Sequence, residues 1–318
     1  MQLITKFNSE INVFLACIDN VHTKAAYEQN VIQFGQYVAK TWDVRSLNSI
    51  TLEVFLEYRK HLVKSYSSST VNAKLTAIKK FMSHLRVRGL IQNAEFALVK
   101  GVAVDTEHQT TPTHSGETMF NVFSILQTKT ASEIQLYLTL FLGVNTGARR
   151  EELVMIQLQD IVKEGENHYV FIRSGKGFKA RNIAISASIF YRLQELIKQF
   201  SSLTKDLLPT DYILTGTSNR AKRGTPITTR AVNSRLDSIT ELTDIEELTP
   251  HSMRRTYANE LDIQMEKAGH SLEVRNAVLK MRLGHAKFEV TEKYLTKDRQ
   301  KRMLAGTTTE LGVMEAVC

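Results

Sequence analysis

Three short stretches of the chain bring together the residue types that phosphodiester chemistry demands. The first is Thr146-Gly147-Ala148-Arg149-Arg150-Glu151-Glu152, the second His251-Ser252-Met253-Arg254, and the third Leu283-Gly284-His285, with Tyr294 nine residues later. A phenol can attack phosphorus, guanidinium groups can hold the charge that builds on the phosphorane oxygens, and imidazoles can move protons, so no metal is required. The set points to DNA strand transfer. An H-x-x-R box alone arises by chance in a chain with nine histidines, so order, spacing and context carry the weight. Ala268-Gly269-His270 mimics the third stretch, but nine residues beyond it stands Leu279, which has no hydroxyl. A zinc site built from His251, His270 and His285 is disfavoured, because no cysteine lies near and no H-E-x-x-H pairing exists.

Residues so far apart in order meet only on a folded scaffold, and the composition supplies one. The 318 residues are 42% hydrophobic and 23% charged with four prolines, a globular make-up long enough for about two domains. Only Cys17 and Cys318 occur, which excludes a disulfide framework and fits a reducing cytoplasm. The most apolar stretch, 136–144, is too short to cross a bilayer, and the amino terminus lacks a signal-peptide pattern. The expected location is the cytoplasm, in association with the nucleoid.

Net charge is +8, and most of it lies early: residues 1–100 hold thirteen Lys/Arg against seven Asp/Glu. Residues 59–100 carry nine basic residues (Arg59, Lys60, Lys64, Lys74, Lys79, Lys80, Arg86, Arg88 and Lys100) and one acid, Glu95. Such density suits a polyanion, since each phosphate neutralised releases counterions; the plainer reading is a solvated helix face.

The first hundred residues read as a small helical bundle. Tyr27, Val31, Phe34 and Val38 recur at helical spacing behind a cap expected at Thr23. Val71, Leu75, Ile78, Met82 and Leu85 form a second stripe, preceded by Ser67, Ser68 and Ser69 and stopped by Gly89. Lys74, Lys79, Lys80, Arg86 and Arg88 fall largely off that stripe and are the candidate DNA contacts. Residues 104–116 lose periodicity and gain Thr, Pro and Gly, which places a linker there. The expected domains are therefore 1–103, a helical DNA-binding domain; 117–305, a catalytic domain; and 306–318, a tail helix.

Beyond the linker, helices are expected at 119–126 and 134–144. Short strands at 158–162, 168–173 and 180–185, separated by Gly165-Glu166-Asn167 and Gly175-Lys176-Gly177, read as an antiparallel meander with Lys176 at a hairpin tip. Helices follow at 189–200, 229–239, 253–265, 272–281 and 290–294. The fold class is thus mainly α with a small antiparallel β-meander.

T-G-A-R-R-E-E-L, G-K-G-F-K-A-R-N-I-A-I, H-S-M-R-R-T and L-G-H-A-K-F-E-V-T-E-K-Y resemble, in order, the four signature segments of the tyrosine recombinase (lambda-integrase/Xer) family. The match spans roughly 130–300, and the amino-terminal helices look like that family's core-binding, SAM-like domain. The resemblance implies a two-domain C-shaped clamp on duplex DNA. Tyr294 would be the nucleophile, leaving a 3′-phosphotyrosyl link and a free 5′-hydroxyl. The ester keeps the energy of the broken bond, so rejoining needs neither ATP nor any other cofactor.

Family register selects Arg149 and Arg254 as clamps on the nonbridging oxygens, where planar paired donors match phosphate. Arg150 and Arg255 are neighbours that should point elsewhere. Lys176 would protonate the departing 5′-oxygen, His251 would assist removal of the phenolic proton and His285 would hydrogen-bond the phosphate. Glu152 would orient an arginine or His251, the alternative being an acid on a helix surface. Lys179 and Arg181 would contact the DNA backbone, and Arg220, Lys222 and Arg223 would read bases or anchor phosphates. The sequence departs from the family in a longer interval from Arg254 to His285, in Arg255 and Thr296 where histidine is common, and in nothing the chemistry requires.

The partners so implied are duplex DNA with paired half-sites, further copies of the chain in a DNA-bound tetramer, and accessory DNA-bending proteins; no membrane is involved. Leu311, Val313, Met314 and Val317 give a short apolar tail helix expected to dock on a neighbouring protomer. Two other readings are a DNA-binding accessory protein without catalysis and a strand-transfer enzyme of the topoisomerase IB or telomere-resolvase kind. The full set Arg149, Lys176, His251, Arg254, His285 and Tyr294 argues against the first.

Overall fold

The computed structural model describes residues 2–42, 46–92, 94–103, 111–173, 180–217, 224–284, 295–296, 298–300 and 302–303, with side chains from Phe7 onward. The chain forms two compact units, Met1–Thr110 and Thr111–Cys318, each with its own apolar core. No helix among the described residues is long and apolar enough to cross a membrane.

The first unit is built on α1 (Gln2–Ala16), α2 (Val21–Thr41), α3 (Leu52–Ser65) and α4 (Ser68–Val87). α4 packs against the other three. Its stripe of Val71, Leu75, Ile78, Met82 and Leu85 is buried throughout, and Phe81 lies 5.0 Å from Phe7 and 5.5 Å from Phe14 between ring centroids. Burial of each such side chain contributes about 1.5–3 kcal/mol. Ser67 caps α4 in extended conformation, and Gly89, at φ +69°, supplies the left-handed stop. α2 starts earlier than its apolar pattern suggests. The Asn20 side chain accepts the N–H of Thr23 at 2.9 Å, so Asn20 is the cap and Thr23 lies inside the first turn, Asn being at least as good a cap as Thr.

The second unit opens with α5 (Gly116–Ile125) and α6 (Ala131–Thr146). A capping box of Thr130 and Glu133 starts α6, and Gly147 ends it at φ +57°. Short α7 (Arg150–Leu153) follows. Strands β1 (Ile161–Glu164), β2 (Asn167–Ile172) and β3 (Arg181–Ile185) form an antiparallel sheet in that order, with Val170 opposite both Ile161 and Ile183. The expected strand at 158–162 is displaced. Leu158–Asp160 is a 3-10 turn, because Asp160 accepts the Gln157 N–H at 2.9 Å while the N–H groups of Leu158 and Gln159 go to Asp211 and Pro209 rather than to a neighbouring strand.

Four longer helices complete the described part of this unit: α8 (Ala187–Leu203), α9 (Thr229–Thr243), α10 (Pro250–Lys267) and α11 (Leu272–Leu283). α10 begins three residues before its expected start, since Thr249 and Ser252 form a capping box and Pro250 takes the first turn, where no N–H partner is needed. The long interval after Arg254 is therefore the remainder of α10, a turn through Gly269 at φ +78°, and α11 capped by Ser271. The expected helices at 290–294 and in the tail lie outside the described residues.

The seating of α10 against α6 sets the positions that matter. Gly143 and Gly147, one turn apart on α6 and its cap, face Met253 and Tyr257, one turn apart on α10. A Cβ at Gly143 would overlap the Met253 sulfur, and one at Gly147 would overlap the Tyr257 ring. Residues 111–116 also lie against α10. The His114 N–H donates to Thr256 Oγ1 at 3.0 Å, the Gly116 N–H to Glu260 at 3.2 Å, and the Arg255 guanidinium to the Thr111 carbonyl.

Candidate active site

Arg149 caps α7 and stands two residues beyond the α6 stop at Gly147, while Arg254 lies on α10 between Met253 and Tyr257. The two glycine contacts of α6 with α10 thus bring arginines from distant sequence to the same place. Arg254 is buried. It donates from Nη1 to the Gly147 carbonyl at 2.6 Å and from Nη2 to the Leu283 carbonyl. Arg149 Nη2 donates to the next carbonyl, that of Gly284, at 3.0 Å. Two guanidiniums from different elements therefore grip consecutive peptides at the C-terminal end of α11. These are carbonyls a helix end leaves without intrahelical partners and at which positive charge is favoured. Gly284 takes φ +62° there, one residue before His285.

Glu152 orders this cluster from below. Its side chain is 2% exposed, so it is no surface acid. Oε1 accepts from Arg149 Nη1 at 2.8 Å and Oε2 from the Arg149 backbone N–H at 2.9 Å. Arg181 on β3 adds a two-pronged pair, Nη1 to Oε1 at 3.0 Å and Nη2 to Oε2 at 2.7 Å, and its Nε donates to the Arg282 carbonyl at 2.8 Å. Burial alone would raise the Glu152 pKa. The hydrogen bond from Arg181, the Arg149 N–H and the two positive charges outweigh it and hold the carboxyl at about 2, below its ordinary 4.5.

His251 lies one turn before Arg254 on α10. It lines an open cleft of about 470 Å³ with Arg149, Arg150, Arg254, Asn233, Asp237 and the α10 start, Thr249 and Pro250. Desolvation, then the charges of Arg255 and Arg254, push the His251 pKa below the ordinary imidazole value, which favours the neutral ring. The amino-terminal turn of α10 also gives this cleft the positive end of a helix dipole.

The neighbouring arginines diverge as one-residue steps on a helix require. Arg150 pairs with Glu151 at 3.0 Å, and Arg255 turns to Asp298 at 3.4 Å. Of the seven residues expected in the site, Arg149, Glu152, His251 and Arg254 are brought together; Lys176, His285 and Tyr294 lie outside the described residues. So do Lys179, Arg220, Lys222 and Arg223.

Arg181, expected on DNA, instead faces the protein, with 8% of its side chain exposed. The signal was available: on a strand Arg181 shares a face with Ile183, which is fully buried. In the first unit Lys80, Arg86 and Arg88 are exposed, Lys80 lying over the Tyr27 ring at 5.4 Å. Lys74, by contrast, is buried, its ammonium donating to Gln33 at 2.5 Å and Asn30 at 3.2 Å, and Lys79 donates to the Val99 carbonyl.

The profile of the phage integrase family matches residues 118–301, and that of the phage integrase N-terminal SAM-like domain matches residues 17–89. Tyrosine recombinase XerC of Staphylococcus aureus (strain bovine RF122 / ET3-1) is 26% identical over 275 residues, covering 86% of this chain and 85% of its own length. Among solved structures, XerH site-specific recombinase bound to a palindromic difH substrate superposes with a TM-score of 0.65 at 18% identity, over 90% of this chain and 80% of that one. A lambda integrase (75–356) dimer bound to a COC′ core site gives 0.67 at 13% identity, over 91% and 94%. At such identities the structural likeness is one of fold.

Proposed function

The chain belongs to the phage integrase family of tyrosine-type site-specific recombinases, and on that premise we propose that it cuts and rejoins duplex DNA through a 3′-phosphotyrosyl intermediate at Tyr294. The phenolic oxygen attacks the scissile phosphorus, the bond to the 5′-oxygen breaks, and that oxygen leaves as a hydroxyl. A 5′-hydroxyl of another strand then displaces the tyrosine. Phosphoester bonds formed and broken balance at each step, so no nucleotide is consumed, and the arginines would supply the positive charge that the phosphorane oxygens need.

One observation carries this reading: Arg149 and Arg254 held on consecutive carbonyls of α11 beside His251 in an open cleft. Among the described residues Arg149 gives two of its five N–H groups to side-chain and carbonyl partners and has 24% of its side chain exposed, so it can still meet a phosphate oxygen. His251, kept neutral, would take the phenolic proton. Lys176 would return a proton to the 5′-oxygen, and His285, directly after the gripped peptides, would hydrogen-bond the phosphate. Glu152 and Arg181 keep Arg149 in its rotamer before DNA arrives, which is what electrostatic preorganisation requires.

The exposed basic face of α4 would follow the duplex. Four protomers would assemble on paired half-sites, joined through the 306–318 tail. XerH and lambda integrase are recorded on DNA, which supports the choice of substrate.

The test is a duplex carrying the chain's own recombination site, nicked so that the freed 5′-hydroxyl strand diffuses away. Wild type should accumulate a covalent protein–DNA adduct, and Tyr294→Phe should bind the duplex equally well and form none. A wild type that binds its site and never becomes covalent would establish the accessory-protein reading instead.

A further inference from the structure

α10 does more than carry His251 and Arg254. Two turns beyond Arg254, Asp262 is fully buried and accepts from three arginines. Arg275 of α11 donates through Nε and Nη2, both at 2.9 Å. Arg299 donates through Nε at 2.9 Å and Nη2 at 2.6 Å, and Arg302 through Nη2 at 2.6 Å. Arg299 also reaches Asn276 at 3.0 Å and Arg302 reaches Asn259 at 2.6 Å. Glu266, one turn on, pairs with Arg275 at 2.6 Å and stands 3.5 Å from Arg302. One buried carboxylate and one half-exposed one thus gather three guanidiniums.

The placement of those arginines gives the cluster a meaning beyond stability. Arg299 and Arg302 follow Tyr294 by five and eight residues, and five residues span at most about 17 Å even when fully extended. Leu295, joined directly to Tyr294, has no exposed surface and belongs to the core of the second unit. Asp298 is tied as well, to Arg255 at 3.4 Å and to Thr113 at 3.3 Å. The stretch after the tyrosine is therefore fastened, at residues 295, 298, 299 and 302, to the unit that contains Arg149 and Arg254.

We propose that Asp262 is a positioning residue for strand cleavage: through Arg299 and Arg302 it anchors the segment that delivers Tyr294 to the phosphate held by the same chain's arginines. This rests on the assignment of Tyr294 as nucleophile. Asp262 touches no reacting atom. It fixes how far and in which direction the phenol can reach, and misplacement by an ångström costs a displacement reaction on the order of 100-fold. Asp262→Asn removes the charge that three cations share and releases the segment. The double variant Arg299→Gln, Arg302→Gln cuts the same tether while leaving the Asp262–Arg275 pair between α10 and α11 in place, and so separates anchoring from folding.

The experiment measures covalent adduct formation on the nicked duplex as a function of DNA concentration, together with hydrogen exchange of peptides covering 295–303. For both variants the expected result is a rate at saturating DNA about 10- to 100-fold below wild type, an unchanged half-saturating concentration, and faster exchange in 295–303. Arg299→Lys, Arg302→Lys, which keeps both charges, should recover part of the rate. Equal saturating rates for an active wild type and the Gln double variant overturn the proposal alone; a wild type that forms no adduct overturns it together with the assignment of Tyr294. A mixture of Tyr294→Phe and Arg254→Ala chains that yields adduct also overturns it, because the phenol would then serve a site on another chain.

Discussion

Glu152 shows how a single carboxylate can govern a cation cluster it does not join in chemistry. It meets Arg149 and Arg181 together, so that removing its charge leaves two buried or half-buried guanidiniums facing each other. Its carboxyl titrates at about 2 in the folded chain against an ordinary 4.5. The folded state therefore binds fewer protons than the unfolded one, and the stabilisation, on the order of 3 kcal/mol, is present above about pH 4.5 and disappears as pH falls towards 2. Glu152→Gln should lose about that much stability in denaturant titrations at pH 7. Its deficit relative to wild type should shrink as the titration is repeated at lower pH through that window. A constant deficit would mean that Glu152 acts through shape rather than charge.

Helices α6 and α10 meet through glycines, and this contact sets the distance between the two arginines. Gly147→Ala would force a left-handed backbone on a residue with a side chain, costing about 1–2 kcal/mol, and push a methyl into the Tyr257 ring, costing about 1–3 kcal/mol more. Denaturant unfolding should show the sum. Tyr257→Leu in the same chain should recover the second part and not the first, in a double-mutant cycle. Most elements here were legible from periodicity and punctuation: α4 from its stripe, Ser67 and Gly89; α6 from its apolar run; α11 from its span, expected at 272–281. Arg149 and Arg254, proposed as the phosphate clamps, were legible because their local motifs are short and ordered. What escaped was polar burial. Arg181 and Asp262 sit at inward positions of a strand and a helix, Asp262 two turns from Arg254 on one face, yet charged residues read as solvent-facing unless their partners are known. Those partners are 29 residues from Arg181 in Glu152 and 13 to 40 residues from Asp262 in three arginines. Strand alternation can turn Arg181 inward beside Ile183, but no local pattern names partners so far away in sequence.

At the scale of the whole molecule, charge divides into cations that face solvent and cations that face protein. In the first unit Lys80 and Arg86 are exposed and Lys74 is buried among amides. In duplex-binding titrations over a range of salt, Lys80→Ala and Arg86→Ala should each lower the slope of log affinity on log salt by about one. Lys74→Ala should leave the slope alone and lower the unit's stability. A slope unmoved by Lys80 and Arg86 would place the DNA path elsewhere. The strip of chain from 111 to 116 has its own lesson, for it decides where the polypeptide can be divided. A shortened protein starting at residue 117 would leave the Thr256 hydroxyl and the Arg255 guanidinium looking into an empty trough, each lost buried bond costing about 1–3 kcal/mol. One starting at 111 keeps the seam closed. Though only six residues longer, it should melt at a visibly higher temperature, which makes those six residues part of the enzyme's floor rather than slack between its halves.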